Sequence, residues 1–271
     1  MLTRIISAAV GIVIAVFVFI FHDTQYVLNT AVAVLSALAV YEVLRAAKCT
    51  DMKITLVLSV AYAVLQPFWL LTQYSYLVTV IFVLLTFCGF IMKHKYYEYG
   101  KVFFSLAASL LITNSLCTLI TLHTFGGRNG LMYLILGLCG AWLADTGAYF
   151  VGTFMGKKKL CPEISPKKTV EGFIGGILIT GFLFLLISFI YTKIVSFDVD
   201  VNWFGVCILG MLLSVIGTLG DLSASLLKRQ CGIKDYGNIM PGHGGVMDRF
   251  DSVLFVAPSM LAFVSIFNIY R

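Results

Sequence analysis

Residues 173–191 read FIGGILITGFLFLLISFIY, and this stretch decides the fold class. From Phe173 to Tyr191 there is no charged residue, no His and no Pro. At 1.5 Å per residue a helix of this length nearly spans the roughly 30 Å hydrocarbon core of a bilayer. Its apolar residues are continuous, whereas a membrane β-strand alternates apolar and polar positions. In lipid only helices and closed barrels satisfy their own backbone groups, so a continuous run predicts a transmembrane helix.

Runs of the same kind recur on both sides of it. Read outward, they cover Ile5–Phe21, Val27–Leu44, Ile54–Leu71, Tyr76–Met92, Val102–Leu122, Leu131–Val151, Phe204–Leu219 and Val253–Ile269. The expectation is an all-α integral membrane protein with about nine transmembrane helices. Composition agrees: 60% of residues are hydrophobic and 12% charged, about half the charge of a soluble domain. The first run is short enough to resemble a signal-peptide core, but His22–Tyr26 has no small-residue cleavage site, which favours a retained helix.

Orientation follows from the cations. With the N-terminus in the cytoplasm, sixteen of the nineteen Lys and Arg residues face inward, and Arg128, Lys193 and Arg271 face outward. The net charge of +6 then matches anionic headgroups and requires no nucleic acid partner. The seven cysteines include no Cys-x-x-Cys pair, so they read as packing residues rather than zinc ligands or a disulfide framework. The chain divides into N-terminal transmembrane helices, 1–122, and a C-terminal catalytic region, 123–271. Its two long loops, Gly152–Gly172 and Lys228–Asp251, both fall on the cytoplasmic side, where the active site is therefore expected.

Acids are scarce, thirteen in all. Asp198 and Asp200 read as solvated, as do Glu98 and Asp51 beside helix ends; Glu42 reads as snorkelling from one. Asp145, Glu171, Asp221, Asp248 and Asp251 stand within or at the edge of apolar segments. A charge at a helix centre costs about 2.5–3.5 kcal/mol on insertion scales, so this group needs cations or water. In GHGGVMDRFDS, Gly242–Ser252, Asp248 and Asp251 are three apart. If the last span begins near Met247, both project from one face of its first turn, where the helix dipole favours anions. Gly242, Gly244 and Gly245 supply the backbone freedom for close approach to a ligand. Paired carboxylates with open positions suit Mg²⁺, which takes one or two protein carboxylates plus substrate phosphates. Asp221, in IGTLGDLSAS, completes a candidate metal set with Asp248 and Asp251. Two ions about 4 Å apart would serve displacement at phosphorus. Ser223 and Ser225 follow; Ser223 either ligates metal or caps a short helix. The other long loop, GTFMGKKKLCPEISPKKTVEGFIGG, holds five lysines and suits a triphosphate or an anionic lipid, but it is not a Walker loop.

SLLKRQCGIKDYGNIMPGHGGVMDRFDS, Ser225–Ser252, resembles the signature of the phosphatidate cytidylyltransferases, or CDP-diacylglycerol synthases: Ser, Lys-Arg, Lys-Asp, Pro-Gly-His-Gly-Gly and Asp-Arg-x-Asp are all present. The segments ADTGAYFVGTFMGKKKL and GDLSAS are similar to the same family, and the likeness covers Leu143 to Ser252. The resemblance implies CTP and phosphatidic acid as substrates, CDP-diacylglycerol and diphosphate as products, and Mg²⁺ as cofactor in the bilayer of the cell membrane. It places Asp221, Asp248 and Asp251 at the metal centre. Asp145, Lys167, Lys168, Ser225, Lys228, Arg229 and Arg249 are candidates to bind the diphosphate or the lipid head. Lys234 either joins them or pairs with Asp235. His243 could donate to a phosphate or hold the glycine turn in shape. Small residues in the spans also leave room for a homodimer. The nearest rival is a CTP-dependent lipid kinase, and a synthase acting on an ether phosphatidate is a closer variant. A transporter would show matched broken helices in two halves, which the sequence lacks.

Overall fold

The structure is a computed structural model of the 271-residue chain; it describes all residues except 1, 25, 195–198, 241, 243, 268 and 271, and for residues 2–8 the backbone only. The helices follow the apolar runs: α1 Leu2–Ile20, α2 Val27–Ala46, α3 Lys53–Trp69, α4 Ser75–Met92, α5 Tyr99–Gly126, α6 Gly130–Met155, α7 Val170–Ile194, α8 Trp203–Gln230, α9 Met247–Phe250 and α10 Val253–Ile266. Among the described residues six helical segments are long and apolar enough to cross a membrane, one of them the 57-residue run Tyr99–Met155 that holds α5 and α6. Ala9–Ile20 and Lys53–Trp69 are shorter apolar helices.

The helices are apolar on the outside. In α7 the buried positions are Gly172, Gly176, Thr180, Gly181, Phe184, Ser188 and Tyr191, while Ile174, Leu178, Phe182 and Leu186 are exposed. In α3 the buried set includes Thr55, Ser59, Tyr62 and Gln66, with Val57 and Leu65 exposed. In water this pattern would waste the hydrophobic effect. In lipid, helices gain little by hiding leucine and associate through small and polar residues, so the arrangement supports a helical membrane protein.

The chain forms two compact units. The first comprises Met1–Ile120 and Gln230–Phe250, the second Thr121–Arg229 and Asp251–Arg271. In the first, α2, α3 and α4 pack in sequence order. Tyr62 stacks on Phe82 with ring centroids 4.4 Å apart, and its hydroxyl accepts a hydrogen bond from Asn114 Nδ2 at 2.9 Å. In the second, α6 and α7 form the main contact and α10 packs on α6. Fully buried Phe184 fills the space left by Gly140 and Gly210.

Three local differences from the sequence reading matter for the site. The loop Gly152–Gly172 contains an antiparallel hairpin, β1 Lys159–Cys161 and β2 Ser165–Thr169, paired at Lys159–Thr169 and Cys161–Ser165. Lysine-rich strands this short carry no alternating apolar signal. Helix α8 runs to Gln230, well past Leu219, because nothing between them breaks a helix; Ser223 therefore caps nothing and its hydroxyl donates to Leu219 O at 2.8 Å. The last span does not start as one helix at Met247. Asp248 lies in α9 and Asp251 in the turn before α10.

Candidate active site

The second unit's polar end is built from α6, α7, α8 and the hairpin. Helices α6 and α7 approach closely because glycines line their contact: a Cβ on Gly176 would lie 3.0 Å from Ala144 O and 3.1 Å from Ala148 Cβ. Asp145 stands on this part of α6. Thr169 ends β2 and caps α7, its Oγ1 accepting from Gly172 N at 3.1 Å. Glu171 folds the incoming loop back, its carboxylate accepting from the amides of Lys157 at 3.0 Å and Lys158 at 3.1 Å.

These restraints present Lys168 between two carboxylates. Its Nζ is 2.5 Å from Asp221 Oδ2 on α8 and 3.5 Å from Asp145 Oδ1 on α6. Burial alone would lower the Lys168 pKa, but the charges of Asp221 and Asp145 outweigh it and hold the pKa above the usual lysine value. Lys168 is therefore a cation at neutral pH. It borders a cavity of about 600 Å³ lined also by Asp145, Asp221, Lys159, Lys167 and Thr218. Arg229, at the end of α8, reaches the hairpin turn at Ile164 O, 3.5 Å away.

Asp251 belongs to the same unit and is 6% exposed. Its Oδ1 accepts from Ser252 N at 2.7 Å and lies 3.3 Å from Ser252 Oγ. A Cβ on Gly220 would sit 3.1 Å from Ser252 Cα and 3.2 Å from Asp251 O, so only glycine lets α8 run this close to the 251–252 turn. Asp251 feels repulsion from Asp221 and Asp145 and attraction from Lys228. The structure thus brings Asp145, Lys168, Asp221 and Asp251 into one electrostatic cluster, with Lys167 at its cavity and Lys228 and Ser225 half-buried on α8.

Asp248 belongs to the first unit, and there the glycine stretch forms its cradle. Gly242 and Gly244 have φ of +78° and +88°, a conformation other residues resist, and Met240 N bonds Gly244 O at 3.0 Å to close the turn. Asp248 Oδ2 accepts from Gly245 N at 2.9 Å and from Tyr236 N at 2.8 Å. Lys234 and Arg249 are exposed in this unit. His243 lies outside the described residues. Glu42, read from sequence as snorkelling, is instead 1% exposed and bonded to Met247 N at 2.9 Å. Sequence reading missed it because its partner is a backbone amide some two hundred residues away, which no local pattern announces.

A family model described as the cytidylyltransferase family matches residues 2–267. The chain belongs to that family. It is 32% identical to the phosphatidate cytidylyltransferase of Bacillus subtilis (strain 168) over 274 residues, 98% of each chain. Over shorter stretches it is 49% identical to the enzyme of that name from Staphylococcus aureus (strain COL), across 131 residues, and 46% identical to that from Staphylococcus haemolyticus (strain JCSC1435), across 130 residues. Each stretch is 48% of this chain and 47% and 48% of the respective relative. Membership makes the chain a nucleotidyltransferase of the cytidylyl class, and its apolar helices make it a membrane protein.

Proposed function

We propose that the chain transfers CMP from CTP to phosphatidic acid, giving CDP-diacylglycerol and diphosphate for phospholipid synthesis. Full-length similarity to a phosphatidate cytidylyltransferase supports this reading. The observation that carries it is the cavity where Asp145 and Asp221 meet Lys159, Lys167 and Lys168. Such a mixture fits two anionic substrates and a cation, and would be wasted on a neutral ligand.

The donor set suits Mg²⁺. Asp221 and Asp251 offer only carboxylate oxygens, the hard ligands this ion prefers, and Asp145 lies in the same cluster. Asp248 enters the proposed set through the sequence pattern, three residues before Asp251. When bound, one or two such ions neutralise phosphate charge and orient the leaving diphosphate. The chain's own residues do the rest. Lys167 and Lys168 attract and orient the triphosphate, and Lys159 adds charge at the same cavity. Lys228, Arg229, Ser225, Lys234 and Arg249 serve the diphosphate or the lipid head. Phosphatidate is already an anion at neutral pH, so alignment and charge neutralisation matter more than a general base. His243 supports the glycine turn or donates to a phosphate.

The topology we favour has nine crossings with the N-terminus in the cytoplasm. The run Tyr99–Met155 would be about 86 Å long as one helix, far beyond a single crossing, and the 3₁₀ turn Gly127–Asn129 divides it into α5 and α6. Gly147, Gly175 and Gly176 are used where α6 and α7 meet and Gly181 where α7 meets α8, so they supply no argument for a homodimer.

The test is purified protein with labelled CTP, phosphatidate and Mg²⁺. CDP-diacylglycerol and diphosphate are expected, with EDTA abolishing both. Release of CDP together with a phosphorylated lipid alcohol would establish a kinase instead.

A further inference from the structure

Glu42 has no part in the chemistry proposed above, yet it is among the most buried polar side chains of the first unit. It sits on α2, a helix from the N-terminal part of the chain that otherwise contributes only apolar spans. Its Oε2 accepts from Met247 N, the first residue of α9, at 2.9 Å. A Cβ added to Gly237 or Gly245 would collide with this carboxylate, so Glu42 lies directly against the backbone of both glycines. Among the described residues its Oε1 has no hydrogen-bond partner. A buried carboxylate is costly, and a neutral apolar residue would fill the same space without that cost. What it supplies is an acceptor at one defined backbone amide.

Arg45, three residues on, holds the other side of the same loop. Its Nη2 donates to Tyr236 O at 3.1 Å. The two backbone amides held on Asp248 Oδ2 are those of Tyr236 and Gly245. Thus α2 grips residue 236 through Arg45 and the 245–247 segment through Glu42, two places from which Asp248 is oriented. We infer that Glu42 is a positioning residue, anchoring the glycine turn to α2 so that Asp248 keeps a single orientation. Gly237 and Gly245 are then glycine to admit the Glu42 carboxylate, a requirement separate from the positive φ of Gly242 and Gly244.

The inference rests on the proposed role of Asp248, and its test separates the two. Hydrogen exchange would be followed by mass spectrometry on the full-length protein, beside kinetics of CDP-diacylglycerol formation. Glu42→Ala should raise exchange at least about tenfold in peptides covering 236–248 and leave α6 and α7 unchanged, because an amide that loses its acceptor opens more readily. Its kcat should fall at least about tenfold with the KM for CTP within about threefold, as expected when alignment and not binding is lost. Glu42→Gln keeps an acceptor oxygen and should restore exchange to the wild-type level and kcat to within about threefold. If Glu42→Ala does not fold, Arg45→Gln reads the same loop from its other side and should raise exchange around Tyr236. Wild-type exchange across 236–248 in Glu42→Ala or, failing that, in Arg45→Gln overturns the inference, as does a Gln variant as impaired as the Ala one. Wild-type protein that makes no CDP-diacylglycerol overturns the proposed function, while the exchange measurement still decides the role of Glu42.

Discussion

Replacing Lys168 with Met removes the cation that separates Asp145 from Asp221. The attraction to Asp221 at 2.5 Å is about 6–7 kcal/mol before desolvation if the effective dielectric constant is about 20. Removing one partner of a fully buried pair typically costs about 3–5 kcal/mol. Here the Lys168 and Asp221 side chains are 20% and 21% exposed, so some screening remains. The Asp145 side chain is 44% exposed and 3.5 Å away, which limits that arm to about 1 kcal/mol or less. The Lys168–Asp221 coupling should therefore be about 2–3 kcal/mol, near the top of the range for contacting residues. A double-mutant cycle of Lys168→Met, Asp221→Asn and the pair, read by unfolding in mixed detergent micelles, measures it. The double variant should be more stable than Lys168→Met alone, because no carboxylate is stranded at position 221. It should nonetheless stay at least about a hundredfold below wild type in CDP-diacylglycerol formation, since both groups are assigned to substrate or metal. Stability losses that add to within about 0.5 kcal/mol would refute the reasoning, because independent sites add and coupled ones do not.

Asp248→Asn should lower CDP-diacylglycerol formation at least about a hundredfold while membrane insertion is kept, and Asp200→Asn, on an exposed residue, should change neither. Gly210→Ala places a Cβ 2.9 Å from Phe184 Cγ and 3.0 Å from Gly181 Cα, an overpacking that should cost about 1–3 kcal/mol in the same unfolding assay. For topology, a cysteine at Lys158 should react with a membrane-impermeant maleimide only after the cytoplasmic side is opened, and one at Arg128 from outside in intact cells.

What could be read from the sequence follows from the solvent. In a bilayer a helical segment must carry its whole signal in one continuous run, so FIGGILITGFLFLLISFIY and its counterparts announce α7 and the other long helices without any tertiary information. The same rule made intramembrane acids conspicuous, and Asp145, Asp221 and Asp251 do share one cluster with Lys168. The hairpin was not legible, because its five-residue and three-residue strands are held by Thr169, Glu171 and the register of Lys159 against Thr169 rather than by a hydrophobic pattern. Glu42 was not legible for a related reason: a glutamate one turn from a helix end looks the same whether it reaches water or a distant amide.

The two units hold half-buried acids in different ways, and on the proposed function the difference bears on metal binding. In the second unit Asp221 is neutralised by Lys168, a flexible side chain whose charge competes directly with any incoming cation. In the first, Asp248 is held by two backbone amides on a single oxygen. Fixed backbone amides orient a carboxylate and bring no net charge of their own. On the proposed function, Asp221 would have to exchange partners to take a cation, whereas the amides keep Asp248 aimed. Loss of the Lys168 charge should then ease cation binding while harming substrate binding, whereas loosening the Asp248 cradle should harm alignment alone. Opposite effects of this kind would distinguish functional carboxylates from structural ion pairs.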